Sequence, residues 1–186
     1  AAGTEEKVEA TSSAFPLTVS SLTPGSETEE GQQITFEDVT FDKMPERIVV
    51  FDYGFLDTLD ALGVEGIVGI AANGGKGNIP ANLKEKYVNV DGVADVGGLK
   101  EVLFEQLAAT NPDAIFISGR QSAFYEELKE ITPNVVFIGH DNTNYVEGLY
   151  ETVDLAATIF GKEEEAEKLK ADFQAKVDAV KEKSVN

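Results

Sequence analysis

The chain contains 186 residues, of which 42% are hydrophobic and 9% aromatic, a composition typical of a globular protein. It carries a formal net charge of −19 and contains two arginines, one histidine and no cysteine. The negative charge argues against nucleic acid as a partner and against binding of the protein surface to anionic membranes, because both need a basic footprint. The residue counts exclude disulfides, thiolate metal sites, cysteine nucleophiles and multi-histidine zinc or copper sites.

The amino-terminal segment, residues 1–33, is rich in Ala, Thr, Ser, Gly and Glu. A segment of this composition buries little apolar surface, so we predict a flexible acidic leader or tether. Two short apolar stretches follow it, Ile34–Phe36 and Val39–Phe41. These stretches predict a small hairpin or a pair of edge strands.

Strands and helices alternate from Pro45 onward. Arg47–Asp52 is a short apolar, β-branched run, as a buried strand requires. Leucines then recur at helical spacing until Gly63, which ends the helix. By the same criteria we predict strands over 47–52, 66–70, 114–118 and 134–138, with a further short strand over 87–90. We predict helices over 55–62, 100–109, 122–131 and 145–160.

Two of the predicted strands follow a proline that marks the end of a helix, at Asn111-Pro112 and at Thr132-Pro133. Successive helix-to-strand transitions of this kind imply a parallel sheet with right-handed crossovers. Open α/β sheets bind ligands at the carboxyl edge of their strands. The loops that follow the predicted strands are therefore where we expect a site.

The last segment predicts a long amphipathic helix over 162–183, after Gly161 interrupts the preceding one. It would span ~33 Å at ~1.5 Å per residue, which is long for an element that covers a small sheet. We expect the Leu169–Val180 part of its apolar stripe to be exposed and to promote dimerisation, swapping or fraying. The stripe consists of Ala166, Leu169, Phe173, Val177 and Val180.

Four segments together resemble the helical-backbone class of ABC-transporter solute-binding proteins. They are PERIVVFDYGFLDTLDALG, ADVGGLKEVLFEQLAATNPDAIFISGR, EITPNVVFIG and NYVEGLYETVDLAATIFGKEEEAEKL. Within that class they are similar to the ferric-siderophore binders of Gram-positive bacteria, of the catecholate or petrobactin type. The resemblance extends over residues 34–186.

The resemblance implies one half of a bilobal α/β protein. Residues 34–160 would form the amino-terminal ligand-binding lobe, with three layers and a parallel sheet. Residues 161–186 would form a truncated inter-lobe helix, with the second lobe absent. No enzymatic activity and no cofactor are implied, because iron enters only inside a ferric siderophore. The implied partners are that siderophore and the permease subunits of an importer. The implied location is the extracellular face of the cytoplasmic membrane, through a lipid anchor missing from this chain.

Arg120 is the leading candidate for ligand contact. It follows the predicted strand 114–118 through Ser118-Gly119, which places it at the carboxyl edge of the sheet. A guanidinium group can give several charge-assisted hydrogen bonds to anionic catecholate oxygens. The family resemblance supports this assignment, because an arginine in this loop contacts the ligand in siderophore binders. The alternative is a solvent-facing or ion-paired arginine among 34 carboxylates.

The first and second βα loops supply three further candidates. Tyr53 could stack on an aromatic ligand or donate a hydrogen bond to it, and Gly54 could allow a close backbone approach or a positive φ. The alternative is a loop tyrosine packed on its own lobe. The loop Ala71–Pro80 differs from a nucleotide-binding loop, because its lysine comes one position too late and the Ser or Thr that should follow it is missing. We expect it to form a flexible rim, in which Lys76 adds positive charge.

Four more residues complete the predicted ligand-binding set. They are Lys100 in a loop that the family uses to line its cleft, Lys84 on the next rim segment, His140 after the strand 134–138, and Gln121 beside Arg120. Ser122 fits a helix cap better than a nucleophile. We predict no catalytic residue, because the chain has no Gly-x-Ser-x-Gly elbow and no patterned acid–base pair.

Other functions remain open to the sequence. The same scaffold could carry haem or a cobalamin. Haem iron would need an axial ligand from Met44, His140 or one of the five tyrosines. A small hydrolase or flavodoxin-like enzyme would need a nucleophile–base pair or a phosphate loop, and neither is recognisable in the chain.

Overall fold

The computed structural model describes residues 15–28, 30–76, 79–98, 100–139 and 145–185. The strands in these ranges are β1 Leu17–Val19, β2 Gly25–Glu27, β3 Gln33–Thr35, β4 Val39–Phe41, β5 Ile48–Val50, β6 Ile67–Ile70, β7 Ala94–Asp95, β8 Ala114–Ile117 and β9 Val135–Phe137. The α-helices are α1 Tyr53–Leu62, α2 Ala81–Tyr87, α3 Phe104–Ala109, α4 Tyr125–Ile131, α5 Tyr145–Phe160 and α6 Glu163–Val185. Two 3₁₀ segments, Asn73–Gly75 and Gly119–Phe124, follow β6 and β8.

A five-stranded parallel sheet forms the centre of the lobe, in the order β7-β6-β5-β8-β9. Its strands alternate between two faces because successive side chains point to opposite sides. Ile48 and Val50 belong to one buried cluster, which also holds leucines of α1 and the apolar face of α5. Val49 and Phe51 belong to the other, together with Leu107 of α3 and Leu128 of α4. Helices therefore cover both faces, and the predicted three-layer parallel α/β fold is confirmed.

The predicted secondary structure is correct for the main sheet and wrong at one edge. The strands expected over 47–52, 66–70, 114–118 and 134–138 correspond to β5, β6, β8 and β9. The strand predicted over 87–90 is wrong, because the chain there leaves the unpredicted helix α2, which packs through the buried Leu83. The fifth strand is β7, which pairs with β6 through only two residues. The helix predicted over 100–109 begins only at Phe104.

The amino-terminal segment is a folded part of the lobe. β1 pairs antiparallel with β4, and β2 pairs antiparallel with β3. Of the two predicted alternatives, the hairpin between 34–36 and 39–41 is wrong, since each stretch pairs with an earlier strand. The edge strands are confirmed, because β3 and β4 each belong to a two-stranded sheet. The segment between β1 and β2 then follows the outer strand β9, where the Leu22 amide donates to the Phe137 carbonyl at 3.1 Å.

The predicted flexible leader over 1–33 is thus incorrect for the described residues from Phe15 onward. Residues 1–14 lie outside the described part of the chain. The polar composition of the segment did not predict this structure. The segment is stabilised by backbone pairing and by a few buried side chains such as Val19. Its contacts with β9 also satisfy backbone groups that an open sheet edge would leave unpaired.

The first half of α6 packs against its own lobe. Ala166 is buried, and Leu169 is half-buried against the core that includes α1 and α5. The Phe173 and Tyr150 rings meet edge to face with centroids 6.3 Å apart. The predicted exposed stripe is therefore limited to the far end of the helix, where Val180 is 65% exposed. Among the described helices, none has the combination of length and apolarity needed to cross a bilayer.

Val19→Ala tests whether the amino-terminal segment belongs to the fold. The substitution should lower the free energy of unfolding by about 1 to 2 kcal/mol, because it removes buried methyl groups and leaves a cavity. Val180→Ala is the matched control, since it removes the same atoms at an exposed helix position and should cost nothing. Denaturant unfolding measures both. Equal stability of Val19→Ala and the unmodified chain would contradict the folded segment.

Candidate functional site

The candidate site lies where the strand order reverses. The chain runs from β5 outward through β6 and β7, then returns to place β8 on the other side of β5. The loops after β5 and β8 therefore diverge to opposite sides and leave a crevice at the carboxyl edge of the sheet, as in other open α/β folds. The loop after β8 contains Arg120. The loop after β5 leads directly into Tyr53 at the start of α1.

A pocket of about 610 Å³ opens beside the loop that follows β8. It has the volume of a small-molecule site. One wall is formed by the loop and 3₁₀ segment that follow β8, and another by the β2–β3 ribbon. Its lining consists of Ser26, Glu27, Thr28, Glu30, Lys100, Ser118, Gly119, Arg120, Ser122, Ala123 and Phe124. The structure thus brings Arg120 and Lys100, two predicted ligand-binding residues, to the same concavity.

Arg120 is presented by a turn that is held internally. The Ser118 amide and hydroxyl both lie within hydrogen-bond distance of the Gln121 side-chain oxygen, at 3.1 and 3.3 Å. The Ser122 hydroxyl donates to the Gly119 carbonyl at 2.8 Å. Because these bonds fix the turn without using Arg120, its exposed side chain is left to project at the pocket. Within the described residues, no hydrogen bond or salt bridge engages the Arg120 guanidinium.

The prediction of ligand contact by Gln121 needs correction. The residue is fully buried, and its amide oxygen serves the turn that presents Arg120. Ser122 is also buried, and it bonds within the turn instead of capping the following helix as expected. The predicted ligand contact of Gln121 rested on its position next to Arg120 in the sequence. That position is a poor guide, because successive side chains of the 3₁₀ turn point in different directions.

Four lining residues of the β2–β3 ribbon were missed by the sequence analysis. They are Ser26, Glu27, Thr28 and Glu30. The only local signal for the ribbon is a turn at Gly31, where φ is 85° and the amide donates to the Thr28 carbonyl at 2.9 Å. That signal predicts a turn but cannot predict which pocket the turn approaches.

The pocket is mixed in charge, in contrast to the strongly acidic chain. Arg120 and Lys100 contribute two positive charges, and Glu27 and Glu30 contribute two negative ones. A chain with a net charge of −19 therefore has a concavity whose own formal charge is balanced. Local charges dominate binding because exposed charges farther than about 10 Å away are largely screened at ~0.1 M salt.

Tyr53 and Gly54 lie at the same edge but outside the pocket lining. The Tyr53 hydroxyl donates to the Ala71 carbonyl at 2.6 Å, and its half-buried ring packs on the core. Burial, and secondarily the nearby Asp95 carboxylate, raises the pKa of Tyr53 above its usual value of about 10. Gly54 is an exposed residue of the first helical turn and does not have the positive φ that we anticipated. Tyr53 therefore packs on its own lobe, and its contact with a ligand stays a prediction.

The glycine-rich loop is held by a carboxylate. The Asp95 side chain accepts hydrogen bonds from the amides of Ala72, Asn73 and Gly74 at 2.7–3.1 Å. Lys76 and Lys84 are exposed on this side of the lobe, and neither lines the pocket of Arg120. His140 lies outside the described residues.

Arg47, the other arginine of the chain, serves the opposite edge of the sheet. Its guanidinium donates to the Thr110 carbonyl through Nε at 2.9 Å and Nη2 at 2.7 Å. The Asp113 carboxylate accepts from the Glu46 and Arg47 amides at the same end. These bonds fix the start of β5 to the start of β8, so Arg47 has a structural role.

Comparisons with known proteins agree with this architecture. A family model described as periplasmic binding protein matches residues 48–184. The petrobactin-binding protein YclQ of Bacillus subtilis is 34% identical over 170 residues, which cover 87% of this chain and 51% of that protein. The chain therefore spans about half the length of this curated relative.

Solved structures give the same result. The YclQ crystal structure superposes with a TM-score of 0.71 and 30% identity, covering 87% of this chain and 54% of that one. A TroA-like periplasmic binding protein from Xylanimonas cellulosilytica superposes with a TM-score of 0.67 and 31% identity, covering 85% of this chain and 49% of that one. The catecholate-siderophore binding protein VctP of Vibrio cholerae superposes with a TM-score of 0.65 and 25% identity, covering 87% of this chain and 52% of that one.

Tyr53→Phe tests the lobe-packing role of the tyrosine. Loss of the bond to Ala71 should lower the free energy of unfolding by about 1 kcal/mol near neutral pH. Because the folded-state pKa is raised, the unfolded chain loses this proton first, so the contribution is complete below pH ~10 and declines above it. Denaturant titrations of both proteins at neutral and alkaline pH measure the difference. A difference that grows with pH would contradict the assignment.

Proposed function

This chain belongs to the periplasmic binding protein family, and from that premise we propose that it is the amino-terminal lobe of the substrate-binding component of an iron-siderophore ABC importer. The proposal is supported most by one observation: Arg120 stands at the topological switch of the sheet, beside a pocket of about 610 Å³. Its guanidinium has no partner among the described residues, so it can engage an anion without first breaking an ion pair.

The proposed ligand is an anionic ferric catecholate siderophore. The planar guanidinium of Arg120 offers several donors to the catecholate oxygens around the iron, and Lys100 adds a second positive charge to the pocket. The hydroxyl groups of Ser26, Thr28 and Ser118 can hydrogen-bond to the ligand periphery. Iron in this proposal is cargo, held by the oxygen atoms of the siderophore itself.

A second lobe would complete the cleft. This chain corresponds to about half of YclQ, and α6 extends past the lobe with its end exposed. The other lobe would cover the open side of the pocket and supply further contacts. The isolated lobe should therefore bind the siderophore more weakly than a complete protein.

The remaining parts of the proposal concern location and partners. The full protein would act on the extracellular face of the cytoplasmic membrane, held there by a lipid anchor, and would deliver its ligand to permease subunits. Acidic patches on the lobe, drawn from 34 carboxylates, would dock on basic permease surfaces. In the isolated chain, the exposed end of α6 around Val180 would favour dimerisation.

Arg120→Ala tests the proposed ligand contact. Quenching of tyrosine fluorescence by a ferric tris-catecholate measures the affinity. The substitution should weaken binding by a factor of about 10 to 150, because hydrogen bonds to charged groups contribute about 1.5 to 3 kcal/mol. Arg120→Lys should recover only part of the loss, since lysine keeps the charge but not the planar set of donors.

Lys168→Ala is the matched control for lost positive charge, because Lys168 is exposed on α6 and does not line the pocket. It should leave the titration unchanged. Equal curves for Arg120→Ala and the unmodified chain would remove Arg120 from the site. Absence of quenching in the unmodified chain, up to the solubility limit of the chelate, would contradict binding by this lobe.

Glu27→Gln and Glu30→Gln test the mixed charge of the pocket. Each substitution removes a negative charge from the lining and should strengthen binding of the anionic chelate about two- to fivefold at low salt, the range of exposed charge pairs. Glu165→Gln on α6 is the control and should have no effect. Weaker binding by the pocket variants would instead mean that these carboxylates accept hydrogen bonds from the ligand.

A further inference from the structure

Asp95 joins two loops at the carboxyl edge of the sheet. Its Oδ1 accepts hydrogen bonds from the amides of Ala72, Asn73 and Gly97, each at 3.1 Å. Its Oδ2 accepts from the Gly74 amide at 2.7 Å. Three of these donors belong to the loop after β6, and the fourth belongs to the loop after β7. One carboxylate therefore holds both loops.

The loop after β6 has a backbone shape that suits a carboxylate. Ala72 is in the right-handed helical region, with φ −78° and ψ −18°, and Asn73 follows it with a positive φ of 50°. Successive amides in this alternation converge and form a small anion-binding concavity. The anion that occupies it here is the side chain of Asp95, which is supplied by the neighbouring strand β7.

The loop after β7 is a closed turn, and Lys100 lies at its tip. Gly97 bridges to Val102, the Gly98 amide donates to the Glu101 carbonyl at 3.0 Å, and the Leu103 amide donates to the Val96 carbonyl at 2.9 Å. Gly97 has a φ of 134°, and a side chain there would overlap the Glu101 carbonyl. The two sides of the turn are therefore joined to each other by backbone hydrogen bonds.

The base of that turn is attached to the loop after β6 by two kinds of contact. The Gly97 amide donates to Asp95, and the Gly97 carbonyl accepts from the Asn73 amide at 2.8 Å. These contacts hold the base of the turn in place against the loop after β6. The tip of the turn carries Lys100 to the pocket that also contains Arg120.

We propose that Asp95 is a positioning residue for the pocket. Asp95 holds the turn of residues 97–102 against the glycine-rich loop after β6, and so presents Lys100 to an anionic ligand. Asp95 itself does not line the pocket. The part that concerns the ligand rests on the proposed function, whereas the part that concerns the turn does not. A carboxylate suits this role because it only accepts hydrogen bonds, whereas an asparagine amide would point donors at backbone donors.

Spin labelling tests the positioning without any ligand. The chain has no native cysteine, so Lys100→Cys gives a single site for a nitroxide label. Adding Asp95→Asn should increase the mobility of the label in the electron paramagnetic resonance spectrum. Asp91→Asn is the matched control, since Asp91 is an exposed aspartate four residues earlier, and it should leave the spectrum unchanged.

An unchanged spectrum with Asp95→Asn would overturn the proposal, and circular dichroism would verify that the variant is folded. Asp95→Glu serves as the second variant if Asp95→Asn does not fold. It keeps an acceptor-only carboxylate but moves it by one methylene, so the label should show intermediate mobility. An unchanged spectrum with a folded Asp95→Glu would also contradict the proposed positioning role of Asp95.

A double-mutant cycle tests the link to binding, with the ferric tris-catecholate as probe. Asp95→Asn should weaken binding about five- to tenfold when Lys100 is present and should have no further effect in Lys100→Ala, because coupled residues are not additive. Equal losses in both backgrounds would show that Asp95 does not act through Lys100. If the unmodified chain binds no chelate while the label becomes mobile, the proposed function fails and the positioning of the turn stands.

Discussion

The constraint on which this lobe depends is the burial of a fully parallel sheet on both faces. Parallel strands need crossover connections, and these connections place helices on both sides of the sheet and all strand carboxyl ends at one edge. The side chains of β5 and β8 illustrate the result, since neighbouring residues such as Val49 and Val50 belong to different buried clusters. The pocket lies between the loop that follows β8 and the β2–β3 ribbon, and Arg120 reaches it from a strand that pairs directly with β5.

The two edges of the sheet use arginine in opposite ways. At the amino edge, the Arg47 guanidinium donates hydrogen bonds to a backbone carbonyl oxygen and helps to join the starts of β5 and β8. At the carboxyl edge, the turn that carries Arg120 is stabilised by Gln121 and Ser122, so the guanidinium is not needed for structure. An acidic chain can therefore present a usable cation to an anion, because the local arrangement of charges and not the net charge decides binding.

The carboxyl edge also shows how one side chain can hold a glycine-rich segment of backbone in place. A loop with three consecutive positive φ values would be costly to order by itself. Asp95 supplies the acceptor that its converging amides need, and thereby connects two loops that are far apart in sequence. The sequence motif resembles a phosphate loop for a physical reason, since its amides do bind an anion, but that anion belongs to the protein.

The amino-acid sequence was sufficient to predict the parallel α/β fold, the positions of the four main strands along the chain and the placement of Arg120 after one of them, because buried β-branched runs and proline-marked helix ends are local signals. It did not determine the β1–β4 and β2–β3 ribbons, the burial of Gln121 or the role of Asp95. Those features depend on contacts between segments distant in the chain, as when Glu27 reaches the pocket of Arg120. Such contacts cannot be predicted from one segment alone, because residue type and spacing define its local conformation but not the distant segment against which it packs.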